Sequence, residues 1–429
     1  MWPSRSRRWR PRHDSGVQTV DVEARRLKSA SALLPAPLPA PLPAFALLSF
    51  TYFAAIGLFN PYAPLWFKEL GFSTFAIGGI AALQSCTRIV GPYGWGWLGD
   101  HTGQRVTLIR LACAGCVVSA FSLLFVESLW PVAAVTALLF LANSGVVPLY
   151  ETSLAHLLSN GQVLDAGKYG RVRVWGSVGF IASVTAFGFV LDRAGVMAFP
   201  WVVAGMNLLL LWAALRLPRG HEEVAHDEPP PAVLQLLRQP EVAWFFASIF
   251  FTVLAHTAMY AFFSLYLVHL GYGKSAVGAL WAVAVAVEIL FFWTQGRFFS
   301  RLSPAGWLQV VAAVATARFA ATAGAGHLGW VLVLAQVSHA VTFAAHHAAC
   351  ISLIHHLFPG RARGRGQALY TILGYGLSGV LGGFGGGWMI ERLGYEPTFW
   401  AASAAAALGW LCARRCARAL ARAEAGTPA

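Results

Sequence analysis

Two carboxylates and three guanidinium groups stand inside long apolar stretches of the sequence: Glu151 and Glu288, and Arg88, Arg173 and Arg318. An ionisable group at the depth of hydrocarbon is expensive and persists where it faces a polar interior, so each marks a candidate ion or solute path. Four histidines accompany them, His256, His339, His346 and His347, and His339 shares a helical face with Thr342 and His346. Acids, bases and imidazoles gathered in one cavity can pass a proton and hold a charged solute. The plainer alternatives are a hydrogen bond between helices for each histidine and a structural ion pair for each glutamate. Aromatic residues fall on the same faces: Trp281 two turns before Glu288, Phe180 two turns after Arg173, and Tyr260 one turn after His256. They read as substrate contacts or as packing and interfacial residues. No carboxylate or cysteine accompanies the histidines at ligand spacing, so no metal site is expected.

The elements that must position these groups follow from composition. The chain has 429 residues, 57% apolar and 11% charged, with a mean hydropathy of +0.59. Soluble domains carry about a quarter charged residues. That shortfall excludes a soluble globule and, with it, the disordered, collagenous and nucleic-acid-binding classes. A helical span needs about 20 apolar residues. Twelve such runs are predicted, at 45–67, 75–98, 106–126, 130–156, 171–191, 197–216, 241–268, 275–298, 305–323, 328–354, 366–390 and 395–413. The net charge of +13 reports topology. Of the 31 basic residues, only Lys68, Arg193, Lys274 and Arg392 fall in one set of alternate loops, and only Arg88 and Arg318 lie deep in spans. Cytoplasmic loops are the ones enriched in Lys and Arg, so both termini are expected in the cytoplasm.

The chain divides once. Residues 217–240 hold Glu222, Glu223, Asp227 and Glu228 beside Pro229–Pro231 and read as a cytoplasmic linker between the halves 45–216 and 241–413. Residues 1–44, Arg-rich and then proline-rich, read as a disordered, partly polyproline-II tail. Residues 414–429 read as a second cytoplasmic tail. The first apolar run is longer than a removable signal and lacks a cleavage pattern, so it is expected to direct its own insertion. The C-x-x-C of Cys113 and Cys116 lies mid-span and reads as packing.

Between the second and third runs the chain reads Gly96-Trp-Leu-Gly-Asp100-His-Thr-Gly103-Gln-Arg105. Asp100 ends one helix, Arg105 begins the next, and Gly103 permits the reversal. The pair can latch the halves together. This loop resembles the signature of the major facilitator superfamily, with His101 and Gln104 where basic residues are usual. The equivalent loop, Gly296 to Pro304, has Ser300 in place of the acid. The resemblance implies an all-α integral membrane fold of twelve helices in two pseudo-symmetric six-helix halves. Two nucleotide-like motifs fail on context. Gly374-Tyr-Gly376-Leu-Ser-Gly379 lies inside an apolar run with no strand before it, where close helix packing explains it. Gly273-Lys274-Ser275 lacks the required upstream glycine, which is Val268. No ATP site is expected.

The fifth run opens Tyr169-Gly-Arg171-Val-Arg173-Val-Trp-Gly176-Ser-Val-Gly-Phe180. This looks like the signature of the lactose permeases and their relatives, the nucleoside-proton symporters and 3-phenylpropionate permeases. Asn60-Pro61-Tyr-Ala-Pro64-Leu-Trp66 resembles them too. Phe262-Phe-Ser-Leu-Tyr266, Leu357-Phe-Pro-Gly360 and Arg365-Gly-Gln-Ala-Leu-Tyr370 are most similar to the phenylpropionate branch. The resemblance implies that Glu151 and Arg173 bind substrate, with Phe180 where a tryptophan stacks on sugar in lactose permease. It also implies that Glu288 joins substrate and proton sites and that Arg318 and His339 belong to the proton-coupling group. The proton-carrying glutamate of lactose permease falls at Thr342, which argues against lactose and moves the proton to Glu288.

The expectation is therefore a proton-coupled symporter in the bacterial inner membrane that imports a small organic solute by alternating access. The substrate set would be Glu151, Arg173, Phe180, Arg88 and Trp281. The proton set would be Glu288, Arg318 and His339, and the latch Gly96, Asp100, Gly103 and Arg105. Three arginines against two glutamates favour an aromatic or other carboxylate. The alternatives are a sugar or nucleoside symporter, or a drug or sugar exporter working by antiport. An enzyme would need a nucleophile with its base, or a metal set, and neither is found. The expected partners are solute, protons and lipid, with no nucleic acid and no cofactor beyond the proton gradient, and the expected state is a monomer.

Overall fold

The computed structural model describes residues 40–160, 163–218 and 237–426. The expectations for the tail up to residue 39 and for the linker over 219–236 lie outside the described residues. Backbone in hydrocarbon must satisfy its own hydrogen bonds, so apolar runs of this length fold as helices. Among the described residues twelve long helices follow one another. They are α1 (Leu42–Glu69), α2 (Thr74–Thr102), α3 (Arg105–Ser122), α4 (Leu129–Leu158), α5 (Ala166–Ala194), α6 (Phe199–Leu215), α7 (Pro240–His269), α8 (Lys274–Thr294), α9 (Pro304–Ala325), α10 (Gly329–Leu357), α11 (Arg363–Leu393) and α12 (Tyr395–Gly426). The starts follow local rules. Ser73 and Ser303 accept the amides of Ala76 and Gly306, and Pro240 and Pro304 sit in first turns. A two-residue antiparallel ladder, Ser159–Asn160 with Val163–Leu164, joins α4 to α5.

Ten of the helices are long and apolar enough to cross a membrane. The two that fall short, α2 and α12, do so for physical reasons. Glycines and polar residues dilute α2 because one of its faces is turned to the other half of the molecule. α12 does not stop where the apolar run ends: it continues through Arg414, Arg415, Arg418 and Arg422 to Gly426. Much of the segment read as a C-terminal tail is therefore helical. Alternating small and charged residues with no glycine until Gly426 leave nothing to terminate the helix.

Three helices depart from regular geometry where the polar residues lie. α4 breaks at Ser144–Gly145, where Trp95 of α2 covers Gly145 and its Nε1 donates to the Leu141 carbonyl at 2.9 Å. Glu151 lies on the short second piece. α10 and α11 each contain a π-helical stretch, Ala340–Ala345 and Tyr370–Leu377. Such insertions are rare and re-aim side chains within a helix.

The two six-helix sets meet through α2 against α11 and α5 against α8. At one end the fit is tight enough to require glycine: a side chain at Gly78 would strike the Gly383 backbone, and one at Gly278 would strike the Val184 backbone. The same end carries two matching bridges. Asp192, at the end of α5, accepts the amides of Lys274 and Ser275 at the start of α8, each at 2.8 Å. Glu391, at the end of α11, accepts the amide of Phe75 at the start of α2, at 3.1 Å. Each carboxylate thus caps a helix of the opposite half, where exposed amides and the helix dipole favour an anion. Along α2 the contact with α11 runs through Ser85 and Ile89, which meet Gly379 and Gly376. The next residues on that face, Tyr93 and Gly96, have open space around them. The halves are therefore sealed at the Asp192 end and part towards the α2–α3 corner.

Replacing both carboxylates, Asp192→Asn with Glu391→Gln, should speed amide hydrogen exchange at Phe75, Lys274 and Ser275 by about tenfold, the equivalent of 1.4 kcal/mol. Exchange unchanged in the double variant would show that the two bridges do not hold this end closed.

Candidate functional site

The opening between the halves has an aromatic floor. Phe180 of α5 and Trp281 of α8 face each other across it with ring centroids 6.5 Å apart, and Tyr260 stacks on the far side of Trp281. The Trp281 ring nitrogen donates to Ser264 Oγ at 3.3 Å. Two turns nearer the open end stand Arg173 on α5 and Glu288 on α8, because residues seven apart share a helix face.

On the first half, Arg173 Nε lies 3.4 Å from Glu151 Oε1, and its guanidinium lies 4.3 Å from the centre of the Phe53 ring. Both partners of the ion pair remain more than a third exposed, so the pair is worth little as glue. The Tyr52 hydroxyl donates to Asn143 at 3.0 Å. Arg88 is exposed and makes no ion pair among the described residues. It adjoins Ile89, which meets Gly376 of α11 where the two halves touch.

On the second half the arrangement is dry. Arg318 is 5% exposed. Its Nη1 donates to His339 Nδ1 at 2.8 Å and to Thr342 Oγ1 at 2.9 Å, and its Nη2 donates to Gln336 Oε1 and lies against Met259 Sδ, both at 2.8 Å. His339 Nε2 is 3.0 Å from Glu288 Oε1. A guanidinium can only donate, so His339 Nδ1 must accept and the ring hydrogen must sit on Nε2, from which it is given to Glu288. The result is a directional chain, Arg318 to His339 to Glu288, spanning α9, α10 and α8. Thr342 supplies a hydroxyl oxygen as acceptor to Arg318. A second, looser chain joins His347 Nδ1 to the Tyr370 hydroxyl at 3.4 Å and that hydroxyl to Tyr375 at 3.2 Å.

At the α2–α3 corner, Arg105 Nη2 and Asp100 Oδ1 are 2.8 Å apart, with Asp100 66% exposed. Gly103 takes a φ of 63° and its amide returns to the Gly99 carbonyl, which is the reversal glycine permits. The pair closes the corner of its own half, and the space around Gly96 is open. A neighbour not singled out by spacing, Arg110, donates to the carbonyls of Ala214, Leu215 and Leu217 and so ties α3 to the end of α6.

The sequence matches the family described as MFS_1 like over residues 44–401, most of the chain and every residue of the candidate site. The chain belongs to that family. It is 30% identical over 367 residues to the probable 3-phenylpropionic acid transporter of Escherichia coli (strain K12), covering 83% of this chain and 92% of that one. It is 26% identical over 353 residues to the maltose permease of Geobacillus stearothermophilus, covering 81% and 87%. Its fold is that of the nucleoside transporter NupG, with a TM-score of 0.72 at 17% identity over 87% of this chain and 98% of that one. The protein is a multi-pass major facilitator transporter, and its relatives and structural neighbours are transporters and not enzymes.

Spacing singled out the charged residues gathered around the opening but not Gln336, Met259 or Tyr375. These carry no charge and gain meaning only from what they face. A usable signal exists for Gln336, a polar side chain one turn before His339 in an apolar run.

Arg318 and Glu151 should separate in stability. Arg318→Leu strands His339 Nδ1, Gln336 and Thr342 without their donor and should cost on the order of 3 kcal/mol. Glu151→Gln should cost less than about 1 kcal/mol. Thermal unfolding of the two purified variants measures both, and equal losses would contradict this division.

Proposed function

We propose that the protein is a proton-coupled symporter that imports an aromatic carboxylate, of the phenylpropionate kind, by alternating access. The observation that carries the solute class is Arg88. Arg173 is paired with Glu151, and Arg318 is joined to Glu288 through His339, whereas Arg88 is exposed and has no ion-pair partner among the described residues. A carboxylate lodged beside Arg88 and Arg173, with its ring over Phe180 and Trp281, satisfies both charge and shape. The named activity of the E. coli relative agrees with this reading.

Glu288 is the proposed proton carrier. It accepts from His339 whether ionised or protonated, so it can gain or lose a proton without breaking the chain behind it. Arg318 acts on it through His339, and movement of α8 relative to α9 and α10 would make or break that link. In this reading the protein works as a monomer in the bacterial inner membrane with both termini in the cytoplasm, so the open end faces inward. The maltose permease relative favours a neutral sugar as the second reading, in which the Arg88 charge would be idle.

Proteoliposomes with an imposed pH gradient separate these readings. The wild type should accumulate 3-phenylpropionate, and Glu288→Gln should abolish accumulation while leaving solute exchange. Arg88→Gln should weaken binding of the carboxylate by about tenfold, the loss of one exposed charge-assisted contact. Accumulation retained by Glu288→Gln removes it from the role. Accumulation of maltose with no response to 3-phenylpropionate overturns the solute class.

A further inference from the structure

A span of about 20 residues begun at Tyr395 is spent at Arg414, yet α12 runs on for more than three turns to Gly426. Its two faces differ there. Ala413 and Cys416 are fully buried in the core of the second half, and Cys416 Sγ lies 3.5 Å from the Glu241 carbonyl of α7. At about 100° per residue, Arg414, Arg415, Arg418 and Arg422 fall within an arc of about 100° on the opposite side. Arg415, Arg418 and Arg422 are exposed. Arg414 and Arg415 lay their guanidinium groups over indole rings, Trp410 at 4.7 Å and Trp244 of α7 at 4.6 Å, and tryptophan is a residue of the membrane–water interface. None of the four makes an ion pair among the described residues, and no acid stands three or four residues from any of them along the helix. Arginines at that spacing repel one another instead. Orienting the span does not require this. The matching helix of the first half, α6, ends with one arginine over one tryptophan, Arg216 over Trp212 at 4.7 Å, and stops at Leu215.

We propose that the basic face of α12 binds the phosphates of anionic phospholipids at the membrane surface where the helix emerges. Arg414, Arg415 and Arg418 stand at headgroup level, and Arg422, one turn higher, can bend its aliphatic stem back towards it. Guanidinium groups offer phosphate oxygens paired N–H donors. A zwitterionic lipid sets its own cation against the same phosphate, whereas an anionic lipid does not and so relieves the repulsion along the arc. The site anchors the second half at the surface and touches neither solute nor proton groups, so it stands apart from the transport reading.

Proteoliposomes of phosphatidylcholine that hold the full chain and a trace of spin-labelled lipid test the site, with electron spin resonance reading the fraction of label held by the protein. The wild type should hold phosphatidylglycerol about tenfold more strongly than phosphatidylcholine, the worth of one to two basic contacts at a membrane surface. The fourfold variant Arg414→Gln, Arg415→Gln, Arg418→Gln, Arg422→Gln keeps good helix formers and should bring the two lipids to within about twofold. The same four positions changed to lysine keep the charge and should keep a preference. Equal retention of the two lipids by the wild type, or a preference undiminished in the glutamine variant, overturns the site. Displacement of phosphatidylglycerol by inorganic phosphate, but not by chloride at equal ionic strength, assigns the face to a free anion and overturns it too.

Discussion

The constraint on which the second half of the molecule depends is the guanidinium of Arg318. A cation in a dry helical interior is tolerated only if its donors are met, and leaving one partner out is costly. Meeting them requires acceptors from several helices at once: Gln336, His339 and Thr342 on α10 and the Met259 thioether on α7. That requirement fixes the rotation of α10, whose π-helical stretch Ala340–Ala345 follows His339 and includes Thr342. His339 is left with one outward donor, and Glu288 of α8 receives it. A fixed charge thereby reaches a carboxylate at the opening through a single oriented ring.

The first half is built on the opposite principle. Its pair, Glu151 with Arg173, is more than a third exposed and weakly held, and Arg88 has no ion-pair partner among the described residues. Loose charges at an opening are available to a solute, whereas a locked network is not. The two halves also differ in how they are joined. At the sealed end the joint is glycine on backbone, with Asp192 and Glu391 each capping a helix across the interface. Such a joint has few side chains to repack, which suits surfaces that must separate and meet again.

Much of this could be read before any coordinates. Apolar runs located the helices because hydrocarbon leaves the backbone no alternative. The charged residues of the candidate site stood out because each is expensive at membrane depth. The corner motif and the opening of α5 placed the chain in its superfamily. What escaped was of two kinds. The extent of α12 escaped because charge ends a membrane span without ending a helix. The capping roles of Asp192 and Glu391 escaped because each looks like an ordinary acid at a loop. Their signal was an internal repeat: Asp192-Arg-Ala-Gly195 recurs as Glu391-Arg-Leu-Gly394, and Gly71 to Gly78 recurs as Gly271 to Gly278. Pairing each acid with the helix start of the other half would have found both.

The central claim is that Arg318 orients His339 and that His339 in turn addresses Glu288. Nitrogen-15 spectra of the purified protein with labelled histidine, with His339 assigned by its loss in His339→Asn, read that orientation directly. The account predicts hydrogen on Nε2 and a bare, hydrogen-bonded Nδ1. Hydrogen on Nδ1, alone or on both nitrogens, would contradict it.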